Sequence, residues 1–262
     1  MAAELTPPPW LPLLRQLTAA AVTWGVWKDT VSAFEGEGDI DSVAEHMDWP
    51  AVVSEFRGWS QEYGLGPVVL CTHYPDVLIM AACDGEGPMR LVQMDVYAKH
   101  VFRGTTLISA RQLGPLMHLD PRGFRRLRPG AEALLVLLRA ARRGGGQPAE
   151  HVTDARLEQI QADPDGAERL AKAIGLSPRF VRSLEEGTWT RRELAAFELR
   201  AALGLCAPRE LARCVLRDYR RIRGCALVDA LARGRRVEGD RTDWLSVIRR
   251  THVVHDAEGP TP

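Results

Sequence analysis

Two rhythms of apolar residues alternate along the first half of the chain. Over residues 10 to about 22, Leu11, Leu14, Leu17 and Ala21 recur at helical spacing behind a proline-rich start, which predicts an amphipathic helix. Residues 23–28 are β-branched and aromatic and read as a first strand. Gly36 and Gly38 loosen the approach to Ile40, which suits a turn entering a short strand. Asp48-Trp49-Pro50 then supplies an N-cap and a proline in the first turn of a helix reaching about Tyr63 and stopped by Gly64. Residues 68–72 and 77–82 are short apolar runs separated by Tyr74-Pro75-Asp76, hence two strands. Asp84-Gly85-Glu86-Gly87 is a turn into a further strand over 91–96, expected to pair as a hairpin with the one before it.

Past Gly130 the pattern becomes helical. Residues 131–143 form one helix, closed by Gly144-Gly145-Gly146, and that glycine run with Pro148 is the expected domain boundary. Strands then cease, and helices are expected over 153–162, 165–174, 178–185, 190–204, 208–218 and 222–233. Strands with interspersed helices followed by helices alone predict an α+β domain over 1–147 and an all-α domain over 148–255, with a disordered tail at 256–262.

Composition narrows the class. The 262 residues suffice for a real core, and the formal charge is zero, so no global field marks a nucleic-acid or membrane protein. The five cysteines (Cys71, Cys83, Cys206, Cys214, Cys225) contain no CxxC pair and read as reduced thiols, not as a zinc ribbon or disulfide framework. There is no signal-peptide pattern and no run approaching the roughly 20 apolar residues of a membrane span. A cytoplasmic protein without a membrane partner is expected.

The candidate chemistry lies in Glu35-Gly36-Glu37-Gly38-Asp39-Ile40-Asp41 together with Asp95, inside the apolar run Leu91-Val92-Gln93-Met94-Asp95-Val96. Residues two apart on a strand share a face, so Asp39 and Asp41 project together while Ile40 enters the core. Gln93 and Asp95 likewise share one side of their strand. A third carboxylate on a neighbouring strand completes a cluster whose like charges raise one another's pKa, and a divalent cation relieves that repulsion. Three carboxylates around Mg²⁺, or around Mn²⁺ as the alternative ion, are suited to neutralising a nucleoside triphosphate and aligning an attack on it.

Gly38-Asp39-Ile40-Asp41, then a helix, two strands and Asp95, resembles the minimal core of the nucleotidyltransferase superfamily, the polymerase-beta-type palm. Trp27-Lys28-Asp29 and Gly123-Phe124-Arg125-Arg126-Leu127-Arg128-Pro129-Gly130 are similar to segments of bacterial nucleotidyltransferase-like proteins, and the likeness spans residues 20–145. The resemblance implies that Asp39 and Asp41 bind metal. It also implies that Asp95 shares the metal and orients or deprotonates an acceptor hydroxyl. An NTP would be the substrate, and a small molecule, a protein side chain or an RNA end the acceptor. Where the family carries a Gly-Ser pair ahead of the two aspartates, this chain has Gly25-Val26-Trp27-Lys28, with Lys28 as a point charge for phosphate. That departure makes an inactive nucleotide-binding relative one alternative.

Two basic features stand beside the acids. From Arg122 to Arg143 there are seven arginines and one acid, Glu132, and Arg122, Arg125 and Arg126 are candidates for gripping a triphosphate. Residues 167–187 resemble a helix-turn-helix, with Gly175 at the turn, Val181 and Leu184 on the core side, and Ser177, Arg179, Arg182 and Ser183 projecting. A DNA-binding regulator is therefore a second alternative, although the neutral net charge does not favour a nucleic-acid partner.

Overall fold

The computed structural model describes residues 10–28, 34, 39–65, 68–74, 76–83, 91–102, 105–143, 150–186, 188, 190, 192, 193, 196, 197 and 199. The expectations for Gly36 and Gly38, the turn at 84–87, the glycine run at 144–146, the helices over 208–218 and 222–233 and the tail lie outside them. The chain divides into two compact units. One comprises residues 1–98, 120–125 and 215–262, the other residues 99–119 and 126–214.

In the first unit, α1 (Trp10–Ala20) buries Trp10, Leu13, Leu14 and Leu17, with Ala21 just beyond. This stripe is rotated from the expected one, because Leu11 is only partly buried while Leu13 is fully enclosed. Positions 10, 13, 14, 17 and 21 follow the 3.6-residue period more closely than 11, 14, 17 and 21. The first strand is also shorter than expected. β1 is Gly25–Val26 alone, since the Thr23 N–H and hydroxyl both donate to Asp48 Oδ2, at 2.7 and 2.6 Å. Asp48 therefore does not cap the helix it precedes. Its carboxylate ties Thr23 to the start of α2 (Trp49–Glu62) instead. Gly64 ends that helix with φ +64°, a left-handed position that glycine fills at least cost.

β2 (Ile40–Val43), β3 (Val68–Tyr74), β4 (Val77–Cys83) and β5 (Leu91–Tyr97) join β1 in the order β3-β4-β5-β2-β1. β4 runs antiparallel to both β3 and β5, as the hairpin reading of 77–96 expected, while β2 runs parallel to β5. The sheet is therefore mixed. Ile40, Leu78, Met80, Ala82, Val92, Met94 and Val96 make one core with Leu13, Leu14, Leu17, Val52, Phe56 and Trp59 from the two helices. Trp10 and Trp59 stack there with centroids 4.8 Å apart. By strand alternation the opposite face carries Asp41, Val43, Ile79, Ala81, Gln93 and Asp95, all of them buried.

The second unit begins with two strands absent from the sequence expectation, β6 (Lys99–Phe102) and β7 (Thr105–Ser109), paired antiparallel. Ser109 and Gln112 form a capping box on the short α3 (Ala110–Leu113). After β8 (Met117–Leu119) come the helices α4 (Pro129–Arg143), α5 (Glu150–Ala162), α6 (Pro164–Ala173) and α7 (Pro178–Glu185). The helix expected at the end of the first domain, α4, thus belongs with the helices that follow. It packs on α5 and α6, and buried Glu132 accepts from Arg126 at 2.7 Å and from Arg156 at 3.3 Å. The Asp163 side chain accepts from Arg128 and from the Gly130 N–H. A Cβ at Gly130 would stand 1.9 Å from the Asp163 carbonyl oxygen, so this contact needs glycine. Among the described residues no helix is long and apolar enough to cross a membrane.

Candidate metal centre

The parallel pairing of β2 and β5 sets Asp41 directly opposite Asp95. Both side chains leave the sheet on the same face, and Asp39 precedes β2 by one residue, so the two-residue period returns it to that face. One carboxylate oxygen from each of Asp39, Asp41 and Asp95 lies within 4.8 Å of the others. Asp41 and Asp95 are almost fully buried, and Asp39 is half-buried.

Each carboxylate is held differently. Lys28, two residues past β1, donates from Nζ to Asp41 Oδ2 at 2.8 Å, with its own side chain 43% exposed. The Trp27 N–H donates to the Asp41 carbonyl oxygen at 3.1 Å, which fixes the approach of that segment. Asp95 is gripped from its own strand. Gln93 Nε2 donates to Oδ1 at 2.8 Å and the Tyr97 hydroxyl to Oδ2 at 3.2 Å. Ser42 Oγ donates to the Asp95 carbonyl oxygen at 3.0 Å, and Tyr97 packs edge-on against Trp27 at 6.2 Å. Burial first, then the charges of Asp39 and Asp41, push the Asp95 carboxyl up to about 7, against the opposing pull of its bonds from Gln93 and Tyr97.

This donor set fits a hard divalent cation. It consists of carboxylate oxygens, the ligands preferred by Mg²⁺ and Mn²⁺. Oxygens on one Mg²⁺ stand about 3.0 Å apart where adjacent and about 4.2 Å apart where opposite, so the carboxylates, now within 4.8 Å of one another, must draw together to share an ion. A second observation points the same way. Gln93 Oε1, on the amide that bonds Asp95, is buried with no hydrogen-bond partner among the described residues. An acceptor buried in that state is costly unless a donor such as a water carried by a bound ion reaches it.

The basic residues expected at the site divide sharply. Lys28 lies on the acids, and Gly25 pairs with Val43 in the strand next to them. Gly38 lies outside the described residues. The three arginines are committed as cross-links. Arg122 binds Asp120 through Nε at 2.8 Å and Nη2 at 3.1 Å, with its guanidinium 4.9 Å from the Phe124 ring centre. Arg125 closes the end of α1 by donating to the carbonyls of Ala21, Val22 and Trp24. Arg126 is engaged by Glu132 at 2.7 Å. Gln93 and Tyr97 enter as the residues that hold Asp95. Their signal in the sequence is the alternation Gln93, Asp95, Tyr97 on one side of an apolar strand.

The helix-turn-helix segment also takes a definite form in the second unit. Gly175 turns the chain at φ +71°, and Ser177 caps α7 by accepting from the Phe180 N–H. Phe180 and Leu184 fill the core side, whereas Val181, expected there, is only half-buried. α7 begins at Pro178, and its buried positions are the i, i+4 pair 180 and 184. Arg182 projects into solvent, but Arg179 and Ser183 share an acid partner in Glu193, at 3.7 and 3.2 Å. An acid on that face opposes a phosphate backbone. Comparisons with protein-family models, curated proteins and solved structures gave no match to this chain.

Proposed function

We propose that the chain is a Mg²⁺-dependent nucleotidyltransferase that moves an NMP from an NTP to a hydroxyl acceptor, with Mn²⁺ able to replace Mg²⁺. In this reading the mixed sheet is a nucleotidyltransferase palm, and the helices of the second unit are its all-α companion domain. The observation that carries the proposal is the convergence of Asp39, Asp41 and Asp95 on one buried face, set by the register of β2 against β5.

When bound, the metal supplies charge neutralisation for the triphosphate and a Lewis acid at its α-phosphate. Asp39 and Asp41 would hold it, and Asp95 would share it. Asp95 also takes the proton of the acceptor hydroxyl as that oxygen bonds to the α-phosphorus. The bond from the α-phosphorus to the bridging oxygen breaks in line, and pyrophosphate leaves with its electron pair. Gln93 and Tyr97 keep the Asp95 carboxylate in one orientation. Lys28 Nζ carries three donors, and with one on Asp41 the others are free to meet phosphate oxygens.

The test is incubation with each NTP, Mg²⁺ and a cell metabolite extract, followed by measurement of pyrophosphate. Asp41→Asn should abolish release while leaving the circular dichroism spectrum unchanged. Undiminished release in that variant overturns the assignment.

A further inference from the structure

We infer that Lys28 stands in the place of a second metal ion, so that the site takes one divalent cation and a fixed ammonium in place of two cations. The inference rests on the nucleotidyltransferase reading and adds to it a metal count and a role for Lys28.

The ammonium lies 2.8 Å from Oδ2 of Asp41, one of the three carboxylates that would hold metal. In a two-metal phosphoryl-transfer site the ions sit roughly 4 Å apart and a shared carboxylate offers one oxygen to each. Here Oδ2 of Asp41 is taken by Lys28, which leaves Oδ1 for an ion. Charge gives the same count. With all three carboxylates ionised, as metal binding requires, they carry three negative charges and Lys28 one positive charge, leaving two in the protein before substrate binds, the charge of a single Mg²⁺. A second divalent ion beside Nζ would meet a fixed positive charge at near-contact distance, well inside the roughly 8–10 Å over which salt screens.

Lys28 has the means to do the work of the missing ion. One of its protons is spent on Asp41, and with the side chain 43% exposed the others are open to a triphosphate lying against the acids. Lysine supplies this as a compact point charge that needs no loading from solution. The buried acceptor Gln93 Oε1 belongs to the amide whose Nε2 bonds Asp95, and is left for a water on the one ion.

The experiment uses the full chain, Mn²⁺ as probe and each α,β-methylene NTP analogue in turn. Bound manganese is counted by equilibrium dialysis, and electron paramagnetic resonance distinguishes an isolated ion from an exchange-coupled pair. The wild-type protein should bind one ion per chain with the spectrum of an isolated centre, with or without analogue. Lys28→Met, which removes the ammonium from a half-exposed position, should raise the count to two with exchange coupling in the presence of analogue. Lys28→Arg should hold it at one. Two coupled ions in the wild-type protein overturn the inference and leave the nucleotidyltransferase reading standing. A count of one in both the wild type and Lys28→Met also overturns it. No bound manganese in any of the three proteins overturns the inference and the reading beneath it together.

Discussion

Replacing Asp95 by asparagine should stabilise the protein in the absence of metal, and the gain should depend on pH. Burial and the neighbouring charges of Asp39 and Asp41 raise the Asp95 carboxyl from its ordinary 3.8 to about 7 in the folded protein. The folded chain therefore binds more protons than the unfolded chain between those values, and stability falls as pH rises through the window. Below about pH 4 both states are protonated and the penalty vanishes. Above pH 7 it is fully present and amounts to about 4 kcal/mol, taking 1.36 kcal/mol for each tenfold in proton affinity. Asparagine keeps Oδ1 for Gln93 Nε2, and its amide can donate to the Tyr97 hydroxyl, so both same-strand contacts have replacements. Allowing for the reversed bond to Tyr97, the variant should gain about 2–4 kcal/mol at pH 8 and close to nothing at pH 4. At roughly 3 °C per kcal/mol for a chain of this size, that is a rise in Tm of about 6–12 °C. Urea and thermal unfolding at pH 4, 6 and 8 in EDTA provide the assay. Added Mg²⁺ should reverse the order, stabilising the wild type and leaving the variant behind. An equal effect at pH 4 and pH 8, or a less stable variant at pH 8 in EDTA, would refute the reasoning.

Side-chain packing away from the acids yields further expectations. Glu132→Ala removes the buried acceptor shared by Arg126 and Arg156, and should cost about 3–5 kcal/mol in urea unfolding, the range for breaking a buried ion pair from one side. A loss below about 1 kcal/mol would mean that water replaces the carboxylate. Gly130→Ala drives a methyl group against the Asp163 carbonyl oxygen and should cost about 3 kcal/mol. Gly58→Ala in α2 faces open space and should instead stabilise by about 0.5–1 kcal/mol, so equal effects of the two alanines would contradict the packing described.

The acidic group was legible because its information is local. Asp39, Ile40 and Asp41 alternate on a strand, and an aspartate inside the apolar run 91–96 demands a partner or a role. Which strand lies beside which is a long-range fact, and the parallel pairing that brings Asp41 level with Asp95 has no signature in either segment. The arginines show the limit most plainly. A count of positive charges from 122 to 143 treated Glu132 as a lone acid, but it is the buried partner of Arg126 and Arg156, and Asp120, which holds Arg122, lies just outside that window. The bonds of Arg125 to the carbonyls ending α1 span more than a hundred residues and leave no trace in spacing. Asp48 had the position and chemistry of an N-cap, but Thr23 competes for its carboxylate with two donors. In the turn region, Phe180 took the core position expected of Val181 because the helix phase is set by where Pro178 starts it.

The proposed chemistry requires that Asp39, Asp41 and Asp95 together hold a divalent cation. Anomalous diffraction at the manganese edge, from crystals grown with Mn²⁺ and an α,β-methylene NTP analogue, tests it most directly. A peak is expected bonded to an oxygen from each of the three aspartates, with the carboxylates drawn closer than the 4.8 Å within which they now lie. An empty acidic face in crystals that hold manganese elsewhere, with Asp95 turned away from Asp39 and Asp41, would contradict it.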